Sequence, residues 1–238
     1  NSVSVDEARA YIKVEKAGYF LGSRSIKPNS SFNNHVKIKL ISKTVAGSFD
    51  NSSGATVNVS GGPVLTFEPG DVSLANGDAY SGAVTVYASY LDPTASDLGE
   101  IMPGDFQAVN SSNSEVTLES YGMVVVELVG AGGEQLNVTS GQTVGITMPV
   151  VALQAGYAPS TIPLWYFDEV YGNWVEEGSA ALQGNVYVGE VSHFSFWNCD
   201  APFPTVDFQC RLVCYNAPMV NVLVRLTMPS GTTRTGIT

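Results

Sequence analysis

An all-β protein of tandem β-sandwich modules is the fold class this sequence predicts, on three observations. Apolar and polar residues alternate in short runs, as in Val36–Leu40, Val84–Ala88 and Val222–Leu226, the period of a strand with one buried face. Clusters of Gly, Asn, Asp, Ser and Pro cut between the runs, at Asn51-Ser52-Ser53-Gly54, Ser60-Gly61-Gly62-Pro63, Ala75-Asn76-Gly77-Asp78 and Gly130-Ala131-Gly132-Gly133. Such punctuation marks short antiparallel strands. The amphipathic stretches that a parallel α/β fold places between strands are missing.

The elements follow in chain order. Asp6–Gly18 carries helix-end signals, with acids first and a base and a glycine last. Ala10, Ile12 and Val14 nevertheless alternate with Tyr11, Lys13 and Glu15, which favours a strand over Ala10–Glu15. A short helical turn is expected around Ala95–Ile101. Gly130-Ala131-Gly132-Gly133 reads as a hairpin turn and not a phosphate loop, because no helix or lysine follows it. Val170-Tyr171-Gly172-Asn173 reads as a second hairpin turn. The chain divides into residues 1–43, the closing strands of a small sandwich; 44–150, a first large sandwich; 151–200, a smaller second β module; and 204–238, the start of another sandwich after the linker Pro202-Phe203-Pro204. The opening at Asn1-Ser2-Val3-Ser4 resembles an internal boundary, and the pattern is still running at Thr238, so part of a longer chain is expected.

Composition narrows the function classes. Only 14% of the 238 residues are charged, against roughly 25% in ordinary soluble domains, so Ser, Thr, Asn and Gly must cover the surface, as in secreted β proteins. A net charge of −11 and a pI near 4.4 repel nucleic acid and anionic membranes. Apolar runs such as Met123-Val124-Val125-Val126 are far short of the roughly 20 residues that span a bilayer. No cofactor is expected. The cysteines, Cys199, Cys210 and Cys214, are poorly spaced for zinc. On one strand Cys210 and Cys214 would lie about 13 Å apart, too far to bond each other. One of them pairs with Cys199 in an oxidising compartment, or all are plain thiols.

Several residue groups could carry chemistry. Asp92, Asp97, Glu100 and Asp105 fall in one loop-rich stretch, and oxygen-rich loops suit calcium. Without an Asp-x-Asp-x-Asp-Gly loop, a solvated acidic surface is the competing reading. Asp168-Glu169 and Glu176-Glu177 flank the second hairpin turn and are expected to be exposed rather than to converge as a glycosidase pair. Trp165, Trp174 and Trp197, with neighbouring Tyr and Phe, would stack on sugar rings if exposed, but strand alternation favours core packing. Asn29, Asn51, Asn58, Asn110 and Asn137 open Asn-x-Ser/Thr sequons.

Two sets of motifs carry a family resemblance. Ala10-Tyr11-Ile12-Lys13-Val14-Glu15-Lys16-Ala17-Gly18-Tyr19-Phe20 resembles the tail of a carboxypeptidase-regulatory-like module, and Val220–Thr238 the first half of another. Phe67-Glu68-Pro69-Gly70, Tyr80–Val86, Met102-Pro103-Gly104-Asp105, Leu118–Met123, Ile162–Asp168, Gly172–Gly178 and Val191–Asn198 occur in the order of a paired sandwich. This order is similar to that of bacterial surface proteins and cartilage intermediate layer proteins, and more distantly to ankyrins, netrin receptors and inflammasome sensors. The resemblance implies a non-catalytic scaffold or adhesion segment on a Bacteroidetes-type cell surface, with a protein or glycan partner. Some members of the paired-sandwich family cut themselves within His-Phe-Ser, which implies His193, Phe194 and Ser195 as a self-cleavage candidate. Ser195 Oγ would attack the preceding carbonyl, His193 would take the proton, and water would hydrolyse the ester. Strand alternation puts His193 and Ser195 on one face, roughly 7 Å apart, so cutting requires a kink or strain at Phe194. Otherwise the segment is a core strand, with Phe194 and Phe196 in the core and His193 bonded to a neighbour.

Overall fold

The computed structural model describes residues 9–28, 34–203, 211–219, 222–227 and 233–237. Its first ribbon is β1 (Ala10–Val14) with β2 (Gly22–Ile26), antiparallel from Ala10↔Ile26 to Val14↔Gly22; the strand pattern at Ala10 therefore prevails over the helix-end signals. The body follows with β3 (Val45–Asp50), β4 (Ala55–Asn58), β5 (Val64–Phe67), β6 (Val72–Leu74) and β7 (Ala83–Leu91). One turn of helix, α1 (Leu98–Ile101), falls within the stretch expected to turn. Then come β8 (Gln107–Val109), β9 (Glu115–Gly130), β10 (Gln135–Val138), β11 (Val144–Pro149), β12 (Thr161–Asp168), β13 (Asn173–Gln183), β14 (Val186–Val191) and β15 (Phe196–Phe203). Two small ribbons close the chain: β16 (Val213–Cys214) with β17 (Ala217–Pro218), and β18 (Leu223–Thr227) with β19 (Thr233–Ile237).

The 13 body strands form one hydrogen-bonded network, in the order β3-β7-β9-β15-β12-β13-β14-β11-β5-β4. β10 bridges β6 and β9, and β8 bridges β13 and β9. All pairings are antiparallel except β8 with β13. Strands from both sides of residue 150 interleave, because β11 pairs with β14 and β9 with β15.

The sequence of β9 explains the layers. It is buried without a break from Leu118 to Val126, and alternation sends successive side chains to opposite faces. Val124, Val126 and Leu128 enter a first core with Leu65, Ile146 and Trp197. Leu118, Met123 and Val125 enter a second core with Trp165, Phe167 and Trp174. An apolar run of this kind requires cover on both sides. On the second side part of the cover comes from outside the body: Phe20, 1% exposed, packs there beside Leu98 and Met102.

Residues 34–41 complete this cover, and here one expectation is corrected: Val36–Leu40 is an extended strap and not a strand. The Lys39 N–H donates to Glu100 O of α1 at 2.9 Å and Ile41 O accepts from Phe20 N at 2.9 Å, so these groups are engaged outside a ladder. The strap lies so close over β2 that a Cβ on Gly22 would come within 2.4 Å of Leu40.

A β-bulge sets which residues of β9 face which core. Asn198 opposes Met123 while Asp200 opposes Ser120, so β9 carries one extra residue there. Gly122 supplies it at φ +134, where a Cβ would meet both Met148 and Tyr90 at 3.1 Å. Gly122→Ala is expected to destabilise the fold by about 1–3 kcal/mol. Urea denaturation would report this as a lower midpoint with unchanged slope.

Candidate functional site

The Ser192–Ser195 segment is a bend joining β14 to β15, which corrects the expectation of a continuous strand. The alternation Val191, His193, Ser195, Trp197 runs through it, but its backbone is held elsewhere. Phe194 N donates to Asn137 Oδ1 at 2.9 Å, and Ser195 O accepts from Val126 N at 3.2 Å. Trp197 Nε1 donates to His193 O at 2.8 Å. The Phe194 ring packs on Phe67 at the first core, 5.8 Å between centroids, and Phe196 is buried in the second.

The His193 ring stands edge-on to Tyr166 at 4.7 Å and tilted on Trp197 at 5.0 Å. Its Nε2 lies 3.8 Å from Glu177 Oε2, and Ser192 Oγ donates to Glu177 Oε1 at 2.5 Å. Burial pushes the imidazole below its ordinary value, with Glu177 opposing, so the ring is neutral at pH 7 and has the charge state of a general base. Ser195 Oγ donates to Phe196 O at 3.1 Å; among the described residues no hydrogen bond joins it to His193. The positive-φ non-glycine residues among those described are Asn113, Tyr215 and Asn216, so Phe194 and Ser195 keep ordinary φ values. Attack on Phe194 C=O would require Oγ to leave Phe196 O and a proton acceptor to reach it. Beside the bend lies a polar cleft of about 210 Å³, lined by Phe194–Phe196, Glu127, Gln135, Glu169 and Leu21. Burial raises the Glu169 carboxyl, and Lys13 opposes the rise.

The acidic stretch 92–105 does not converge on a point. Asp92 Oδ1 caps its own turn through Thr94 N and Oγ1, both at 2.7 Å. Asp97 pairs with Lys39 at 2.7 Å, Glu100 with Lys37 at 2.9 Å, and Asp105 with Arg9 at 3.4 Å. Among the described residues no group of three or more His, Cys, Asp or Glu could hold a metal ion. Burial raises the Asp105 carboxyl despite Arg9 and Arg24 nearby, and lowers the buried Arg24 guanidinium.

The other candidates are also placed. Trp165, Trp174 and Trp197 are each 0% exposed, and each indole N–H donates to a backbone carbonyl, of Asp200, Asp105 and His193 respectively. They offer no face to a sugar. Asp168 caps the hairpin turn, Glu176 accepts from Ser111 N, and Glu177 holds Ser192. Asn51 is buried, bonded to Val72 and Tyr80, and Asn137 holds the bend, whereas Asn58 is exposed. Cys199 is a buried free thiol, its pKa pushed up by burial, and Cys214 is an exposed one. Cys210 and Asn29 lie outside the described residues.

Two features escaped the sequence reading. One is a buried polar network at the β9 bulge: Ser120 Oγ meets Asn198 Oδ1 at 3.3 Å, Asn198 donates to Asp200, and Gln154 Nε2 donates to Ser120 O at 2.7 Å. Its sequence signal is the interruption of apolar runs by Glu119-Ser120 and Asn198. The other is the junction with residues 9–43. Gly172 O accepts from Arg9 Nη2 at 2.9 Å and from Ser25 Oγ at 2.6 Å. Gly104 O accepts from Arg24 Nη1, and Gly104 N donates to Ser23 Oγ, both at 3.1 Å. A Cβ on Gly172, at φ +72, would stand 2.4 Å from the Tyr11 ring.

The His193 shift has a definite sign. The unfolded chain takes up a proton near the ordinary value of 6.5, which the folded chain resists. This contribution to stability is therefore full above about pH 6.5 and is lost as pH falls through the lower folded value. His193→Gln is expected to flatten the acid limb of stability against pH, measured by urea midpoints between about pH 7 and 5.

No family model matches the chain, and no solved structure matches it. Among known proteins it is similar to cartilage intermediate layer protein 2 of Mus musculus, 30% identical over 121 residues. That similarity covers 50% of this chain and 10% of the relative, so the chain corresponds to a small part of that protein's length.

Proposed function

We propose that this chain is a non-catalytic structural segment of a secreted or cell-surface protein, in which a two-core β body is locked to the module before it. The observation that carries this reading is the junction at Gly104 and Gly172. Four hydrogen bonds, donated by Arg9, Arg24 and Ser25 and accepted by Ser23, fix two turns of the body, and Phe20 fills its second core. A flexible linker would give neither. The thin charge coat and the partial similarity to a protein named for the cartilage intermediate layer support an extracellular setting. Among the described residues no helix is long and apolar enough to cross a membrane. A bacterial surface origin, with carboxypeptidase-regulatory-like modules at both ends, rests on the motifs Ala10–Phe20 and Val220–Thr238. A glycan partner is not favoured, since the tryptophans that would stack on it are buried.

Self-cleavage between Phe194 and Ser195 is the second reading. It is favoured by the bend at these residues and by the neutral, half-buried His193 beside it.

Two experiments separate these readings. Phe20→Ala is expected to cost about 3–5 kcal/mol, seen as an earlier urea midpoint in the fluorescence of the body's tryptophans. A body indifferent to that substitution would count against a locked junction. Intact mass of the purified chain is expected to show one unbroken species, identical in behaviour to Ser195→Ala. Two fragments meeting at Phe194–Ser195, abolished by Ser195→Ala, would move the assignment to self-cleavage.

A further inference from the structure

The charges are partitioned along the chain in a way the net value conceals. Eight of the 11 Lys and Arg residues precede residue 44, three follow residue 210, and none lies between. The body between residues 44 and 203 carries 18 of the 22 Asp and Glu residues. An anionic body is thus flanked on both sides by cationic segments.

The described ion pairs that join residues 9–43 to the body all run in one sense. Arg9, Lys37, Lys39 and Lys43 reach Asp105, Glu100, Asp97 and Glu127. Residues beyond 210 reach the same knob. Arg225 Nη2 lies 3.4 Å from Ser96 O, and the backbone of β19 runs beside α1. Ser96, Asp97 and Glu100 are thereby reached from both flanks within five residues of sequence.

The strand registers provide an independent reason. Val45 of β3 opposes Tyr87, which opposes Glu127 of β9, and β3 then runs toward the Gly130 end of β9. The chain therefore enters the body level with Glu127. β15 runs the other way, from Phe196↔Val125 to Phe203↔Thr117, and leaves near the Glu115 end. Entry and exit are three strand positions apart in the order β3-β7-β9-β15 and ten residues apart along β9, Glu127 against Thr117. α1 follows β7, whose Leu91 pairs with Met123, between the levels of entry and exit on β9.

We infer that the Ser96–Ile101 knob is a shared docking surface for both flanking segments of this chain, so that the chain folds back on itself instead of extending as separate beads. The occupant on the second side is the basic β18–β19 ribbon, drawn by the same charge complementarity that seats residues 9–43. This inference concerns the path of the chain and holds whichever reading of the His193–Ser195 bend prevails.

The test is a pulsed-dipolar distance measurement on the full chain, with spin labels on His35→Cys and Thr227→Cys, both exposed, and with Cys210→Ser and Cys214→Ser so that neither cysteine takes up label. Because α1 is only about 6 Å long, a single narrow peak at roughly 25 Å or below is expected. The peak should broaden with Arg225→Glu and in 1 M salt, where the Debye length falls to about 3 Å. A long, broad distribution in the unaltered background would overturn the fold-back. A narrow peak indifferent to both Arg225→Glu and salt would overturn its electrostatic origin. Urea midpoints for each labelled chain, matching the unlabelled one, exclude misfolding as the cause of either result.

Discussion

Everything in this molecule follows from a strand that has no side to give to water. β9 is buried on both faces over Leu118–Val126, and burial of each large apolar side chain there contributes about 1.5–3 kcal/mol, so leaving either face bare would forfeit much of the driving force. One face is covered by strands of the body alone. The other is covered by large aromatics from β12 and β13, the α1 knob, and Phe20 from outside the body. The first module is therefore a structural component of the second core, and its boundary is a packing interface. The bulge at Gly122 belongs to the same constraint, because one extra residue exchanges which side chains meet which core.

Polar groups fill the places where this packing leaves backbone exposed. The turns at Gly104 and Gly172 present carbonyls that no ladder uses, and Arg9, Arg24 and Ser25 take them. The three indole N–H groups do the same for carbonyls at the body's bends and bulges. At the bulge itself, Ser120, Asn198, Asp200 and Gln154 bond to one another away from water, as most buried polar groups do, while Gln154 Oε1 has no hydrogen-bond partner among the described residues. The bend at His193–Ser195 is one more such place, held by Asn137, Val126 and Trp197.

The all-β class, the strand at Ala10, the turn of helix near Leu98 and the hairpin at Val170–Asn173 were legible in the sequence, because period and turn chemistry act locally. Val36–Leu40 alternates like a strand, yet its backbone partner is a helix carbonyl that no local pattern announces. The alternation through Val191 and Trp197 misled similarly, since the bend between them depends on Asn137, far away in sequence. The acids from Asp92 to Asp105 suggested a cation, and cations do answer them: Arg9, Lys37 and Lys39, side chains of this chain itself. Net charge hid that answer, whereas the distribution of lysine and arginine along the chain shows it.

The different levels at which the chain enters β3 and leaves β15, Glu127 and Thr117 of β9, have a mechanical consequence. These levels differ by ten residues of β9 and by three strand positions, so tension between residues 44 and 203 would act largely along the strands and load the ladder β3 makes with β7 in shear. The ion pairs of Lys37, Lys39 and Lys43, together with the seated Phe20, stand upstream of that first ladder bond. A pull from the N-terminal side must break this clamp before it loads the sheet, so the junction with the neighbouring module yields first.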